Sequence, residues 1–93
     1  MRRIERTKKF KLDYKRERKG RHRAVLDTAL AEALSLLTND QALDERYRDH
    51  ALAGQWHGHR DCHLRPDLIL IYRKPDPETL QLVRLGSHSE LSL

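Results

Sequence analysis

Residues 68–72 read Leu-Ile-Leu-Ile-Tyr, an unbroken apolar run of five. Such a run is expected of a strand covered on both faces. Turn signals bound it: Arg65-Pro66-Asp67 before and Pro75-Asp76-Pro77-Glu78 after. Outside those turns lie two more extended segments. Trp56 to Leu64 reads as one strand, and Leu80 to Leu85 as another with apolar residues on both faces. Gly86-Ser87 ends the last strand, and His88 to Leu93 is a short tail. The second half of the chain is therefore a meander of three strands.

The first half has a different period. Arg2 to Arg6 is a candidate short strand. Lys8 to Lys19 looks helical, with Phe10 and Tyr14 four apart on one face and Gly20 as a stop. Residues 23–38 predict the clearest helix: Leu26, Leu30, Ala33 and Leu37 draw one apolar stripe, widened by Val25, Ala29 and Leu36. Asn39-Asp40 is a turn signal, and residues 41–55 look irregular. The order strand-helix-helix-strand-strand-strand predicts an α+β fold, with two N-terminal helices packed on one side of an antiparallel sheet. A chain of 93 residues suits a single domain spanning residues 1–93.

Charge is unevenly placed. Residues 1–23 hold 12 Lys and Arg against three acids, whereas residues 24–93 hold 7 against 11. A basic end this dense suits contact with a polyanion such as RNA, or with an acidic protein partner. No stretch approaches the ~20 apolar residues of a transmembrane helix, and the charged N-terminus has no apolar run behind it, so no membrane role or secretory signal is expected. The single cysteine, Cys62, cannot form an internal disulfide and fits a reducing cytoplasm.

Residues 57–63 read His-Gly-His-Arg-Asp-Cys-His. On a strand, the period of two sends Trp56, Gly58, Arg60, Cys62 and Leu64 one way, and His57, His59, Asp61, His63 and Arg65 the other. The first set can face a core, with Cys62 as a small buried hydrophobe. The second is a row of imidazoles and a carboxylate on an open face. Two histidines at i, i+2 with Asp61 or His63 can share a metal ion, but the chain has neither CxxC nor HExxH. The other chemistry is metal-free. RNA cleavage by 2′-hydroxyl attack needs one group to take the 2′ proton, one to protonate the leaving 5′ oxygen, and a cation on the phosphate. Histidine, ordinarily titrating near pH 6.5, suits the first two tasks, and arginine the third.

A dispersed pattern carries a resemblance. Asp49-His50, Leu52, Gly54, Trp56, Gly58, Arg60-Asp61, His63, Pro66-Asp67, Ile69-Leu70-Ile71-Tyr72 and Arg84-x-Gly86-x-His88 stand in the order and spacing of the YafQ-type toxins. These belong to the RelE/ParE superfamily of bacterial toxin–antitoxin systems. The likeness is close over residues 43–91 and looser over the two helices before them. It implies a RelE-like fold, a twisted antiparallel sheet with helices on one side. It also implies a ribosome-dependent endoribonuclease that cuts mRNA in the A site. Its partners would be the ribosome and a cognate antitoxin, with operator DNA met only through the antitoxin complex. No cofactor and no metal are implied. Carried over by position, the catalytic residues fall on His50, His63, Asp67 and His88. Asp61 is implied to position substrate or orient an imidazole, and Arg84 to contact the scissile phosphate. His57 and His59 match no catalytic residue of the family. Ser92 stands where the family has a phenylalanine, and Leu68 where it has a tryptophan. The alternative in the same superfamily is a non-enzymatic toxin that binds a protein such as gyrase, which has no need of the histidine set.

Overall fold

The computed structural model describes all residues, Met1–Leu93. The elements run β1 (Arg3–Arg6), α1 (Lys8–Glu17), α2 (Leu26–Thr38), β2 (His50–Ala51), β3 (Arg60–Arg65), β4 (Leu68–Arg73) and β5 (Thr79–Gly86). Short 3₁₀ turns at Glu45–Tyr47 and Gly54–Trp56 flank β2. The five strands form one sheet in the order β1-β5-β4-β3-β2. The α+β architecture is as expected, with one difference in pairing. β1 runs parallel to β5, from Arg3 opposite Thr79 to Arg6 opposite Leu82, so the sheet is mixed rather than wholly antiparallel. The chain reaches β5 only after both helices and the meander, so a long connection is available for that parallel pairing.

The 68–72 run is the centre of this arrangement. All five residues are buried. Leu68, Leu70 and Tyr72 join the main core with Phe10, Leu26, Ala33 and Leu37 from the helices. Ile69 and Ile71 face the other way and pack with Leu91, Leu52, Trp56 and Val83. Each buried Leu or Ile contributes about 1.5–3 kcal/mol by leaving water, so the alternation holds both layers to one strand.

The structure corrects the strand at Trp56–Leu64. It begins only at Arg60. Gly54 (φ 64°) and Gly58 (φ 86°) both take left-handed backbone, which breaks the extended period and folds the segment into turns. His57 and His59 therefore leave the expected imidazole row. The stretch at 41–55 is not wholly irregular, since His50 and Ala51 pair with Asp61 and Arg60.

β1 ends at Arg6, so the rest of the β5 edge lacks a strand partner. Thr7, the N-cap residue before α1, takes its place. The Thr7 backbone N–H donates to the Leu82 carbonyl at 3.0 Å. The Thr7 hydroxyl donates to the Val83 carbonyl at 2.8 Å and accepts from the Phe10 N–H at 3.0 Å as the helix N-cap. Thr7→Ala is expected to cost about 1 kcal/mol or somewhat more, lowering Tm by roughly 4–8 °C per kcal/mol for a domain of this size. A thermal melt checks it, and an unchanged Tm would contradict the edge-capping role.

Candidate active site

Strand register assembles the open face of the sheet. His50 on β2 stands opposite Asp61 on β3, and Asp61 stands opposite Ile71 on β4. His63 stands opposite Ile69, which in turn pairs with Gly86 at the end of β5. That last row brings two loop residues together. Asp67 lies in the turn before β4, and His88 lies just past β5. Asp67 Oδ1 accepts from His88 Nδ1 at 2.7 Å and from the His88 backbone N–H at 2.9 Å. These two bonds, with the nearby Arg21 charge, hold the Asp67 carboxyl below the usual carboxylate range. The His63 and His88 rings meet edge to face, 5.3 Å between centroids. His50, His63, Asp67 and His88 are thus brought to one face, over an apolar floor of Ile69, Ile71 and Leu91.

Asp61 sits beneath them. It is only 3% exposed. Burial pushes its carboxyl up, against the opposing pull of His50, His63 and His88, which surround it. His50 Nδ1 lies 3.1 Å from Asp61 Oδ1. The hydrogen-bond direction of that nitrogen, however, is to the Arg48 carbonyl at 2.8 Å. Asp61 Oδ1 is therefore a buried oxygen with no hydrogen-bond partner. Such an atom costs stability and stands out where most buried polar groups are paired. Asp61 thus lies buried beneath the imidazoles rather than open to solvent.

Arg84 is more committed than the resemblance implies. Its Nε and Nη2 donate to Asp13 at 2.7 and 3.2 Å, leaving Nη1 without a protein partner. It lines a cavity with Lys9, Gln55, Trp56, Glu90, Leu91 and Ser92. Cys62 is fully buried and its thiol is pushed well up by that burial, so it behaves as a core residue. No three His, Cys, Asp or Glu side chains lie close enough together to hold one metal ion.

Three supporting residues escape a reading of the sequence alone. Arg21, in the loop between the helices, donates to Asp67 Oδ2 at 2.8 Å. Asp49 accepts from Arg60 Nη2 at 3.1 Å and from the Tyr72 hydroxyl, pinning the residue before His50. Asp13 binds Arg84. For Asp49 a signal exists, its place next to His50. Arg21 is hidden among the many cations of the basic arm, and Asp13 among the acids that merely offset them.

Comparison with known proteins is decisive for the family. A family model described as the bacterial toxin of type II toxin–antitoxin system, YafQ, matches residues 2–93. This chain belongs to the YafQ toxin family. The mRNA interferase toxin YafQ of Escherichia coli K12 is 45% identical over 56 residues, 60% of each chain. The matched stretch spans less than two thirds of the length of the curated relatives. A metal-bound toxin from Helicobacter pylori is 42% identical, with a TM-score of 0.83 over 98% of this chain and 99% of that one. The toxin–antitoxin complex DinJ–YafQ of Escherichia coli supplies a chain 36% identical, with a TM-score of 0.81 over 97% and 96%.

Proposed function

We propose that this YafQ-family protein is an endoribonuclease that cuts mRNA in the ribosomal A site, in the cytoplasm, and that a cognate antitoxin neutralises it. The observation that carries this reading is the convergence of three histidines and Asp67 on one face, with His88 held by Asp67 at 2.7 Å. The interferase from Escherichia coli and the DinJ–YafQ complex support the activity and the partner. The basic residues 1–23 suit both ribosomal RNA and an acidic antitoxin segment.

The tautomers divide the labour. The Arg48 carbonyl only accepts, so His50 Nδ1 carries a proton and a neutral His50 presents a free lone pair at Nε2. That nitrogen takes the proton of the ribose 2′-hydroxyl. The 2′ oxygen then bonds to phosphorus as the bond from phosphorus to the 5′ oxygen breaks. The Asp67 carboxylate also only accepts, so His88 likewise carries its proton on Nδ1. A second proton, on Nε2, passes to the leaving 5′ oxygen. The products are a 2′,3′-cyclic phosphate and a 5′-hydroxyl end. His63, between the two, and the free Nη1 of Arg84 face the charge that builds on the phosphate. No step requires a metal, so cleavage is expected to persist in the presence of a chelator.

The test is 5′-end mapping of a short mRNA on translating ribosomes with the purified protein. Cuts at A-site codons are expected, and their absence at saturating protein would end the nuclease reading. Growth arrest without any cuts would instead favour a protein target. A second check falls on Asp61. Burial raises its folded pKa, so as pH rises past the ordinary value near 3.9 the folded state must bear a charge that the unfolded state carries freely. Asp61→Asn is therefore expected to raise stability at neutral pH while lowering cleavage by about tenfold or more. Thermal melts and cleavage rates measured on the same sample would show it. A variant both less stable and fully active would contradict the role given to Asp61.

A further inference from the structure

A basic cleft separate from the Asp67–His88 pair has His63 in its wall. It measures about 380 Å³ and is lined by Arg46, Arg48, Arg65, Tyr47 and Pro66. Residues 24–93 carry an excess of acids, yet three of their seven cations converge here. No carboxylate lines the cleft.

The three guanidiniums differ in how they are held. Arg46 stacks over the Tyr47 ring, 4.7 Å from its centroid, and donates to the Tyr47 hydroxyl at 3.1 Å. Its only acidic neighbour is Glu32, at 3.6 Å on the exposed side. Arg65 donates from Nη1 to the Leu64 carbonyl at 2.8 Å, which fixes its fork and leaves its other nitrogens open. Arg48 is exposed and takes left-handed backbone, with φ 47° and ψ 41°, a conformation that a non-glycine side chain adopts at a cost. That same residue presents the carbonyl that fixes His50 Nδ1. One strained position thus sets the proposed base and adds a cation to the cleft beside it.

We propose that Arg46, Arg48 and Arg65 form a subsite for the RNA phosphodiester backbone adjacent to the scissile linkage, with His63 as the shared wall. The proposal rests on the nuclease reading for the position of the scissile bond. The cleft's ligand chemistry stands on its own geometry. Guanidinium forks match phosphate oxygens, and a Tyr-backed arginine is a fixed donor rather than a wandering one. The subsite takes the neighbouring nucleotide without reading its base, since the cleft offers cations rather than base-edge partners.

The experiment uses the full chain with His88→Ala, so that RNA binds without being cut. Labelled single-stranded oligoribonucleotides, a dinucleotide and a hexanucleotide, are titrated with this protein and with the same protein carrying Arg48→Gln and Arg65→Gln. Hexanucleotide affinity is expected to fall by about tenfold. The slope of log K against log salt should fall by about 1.4, roughly 0.7 for each phosphate no longer neutralised. Dinucleotide affinity should stay within about twofold, because the dinucleotide fills only the histidine face. Arg48→Lys with Arg65→Lys, which keeps the charge, should recover most of the salt slope. A hexanucleotide affinity untouched by the Gln pair, with a native melt, would overturn the subsite. Repeating the comparison on ribosomes with and without mRNA identifies the strand. A loss seen only with mRNA assigns the cleft to the message, and an equal loss on empty ribosomes assigns it to ribosomal RNA. Wild-type cleavage is read separately. If it occurs while the cleft variants bind normally, only the subsite fails. If it does not occur while binding still depends on the arginines, only the nuclease reading fails.

Discussion

An alanine at His88 is expected to lower mRNA cleavage by about 10²–10⁴-fold, the usual contribution of a positioned proton donor. The fold should be unaffected, because the His88 side chain is 47% exposed and lies past the last strand. The loss should appear in the chemical step rather than in binding. In the proposed mechanism the imidazole contributes most when the 5′ oxygen needs its proton. Asp67→Asn should act through the same ring but differently. An asparagine oxygen can still accept from the His88 backbone N–H, while the carboxylate that faces the protonated ring is gone. Its effect should therefore be smaller than that of His88→Ala, because the ring itself remains. Single-turnover cleavage on programmed ribosomes across pH 5.5 to 8.5 would measure both. Wild-type rates in the alanine variant would remove His88 from the mechanism.

Much of this site is legible in the sequence, and what is not has a physical cause. The 68–72 run gives the central strand because period two and burial on both faces agree there, and the α2 stripe gives its helix for the corresponding reason. The catalytic assignments come from a dispersed pattern, and the structure brings those residues to one face. The imidazole row at 57–63 fails in its first half because Gly58 takes positive φ, a backbone choice that residue spacing does not record. α1 is a subtler case. Phe10 and Tyr14 suggest its inner face, but the buried residues are Phe10, Asp13 and Glu17, at i, i+3 and i+7. Two carboxylates occupy the buried stripe because each has a partner there: Asp13 meets Arg84 and the Leu85 N–H of the facing strand, and Glu17 meets Arg16 of its own helix. Apolar periodicity cannot register an inner face made of acids. Arg84 follows from the same fact, since its engagement by α1 is invisible until that face is known.

Asp13 is accordingly where the largest loss of stability is expected. Its side chain is buried, and it accepts from Arg84 Nε at 2.7 Å, from the Leu85 N–H at 3.0 Å and from Arg16 Nη1 at 3.0 Å. Burial alone would raise its carboxyl, but the Arg84 and Leu85 hydrogen bonds and the two guanidinium charges outweigh it and hold the group below the usual range. Asp13→Ala leaves the Leu85 N–H buried without an acceptor and Arg84 without its counter-charge. Breaking a buried pair from one side costs about 3–5 kcal/mol. The lower end applies here, because the Arg16 side chain is 41% exposed and water replaces much of its share. The sign of the pH dependence follows from the depressed pKa. The contribution of Asp13 is present above the ordinary value near 3.9 and is lost as pH falls from there through the lower folded value. Urea melts of wild type and Asp13→Ala should thus differ by about 3 kcal/mol at pH 7 and converge in strong acid. A gap that stayed constant down to pH 2 would show that Asp13 matters through packing and not through charge. Activity supplies the second readout. With its fork released, Arg84 loses the fixed position from which it is proposed to meet the phosphate, so Asp13→Ala should also lower cleavage in the fraction that remains folded. Adding Arg84→Ala should then cost little more, because the two residues act as one unit.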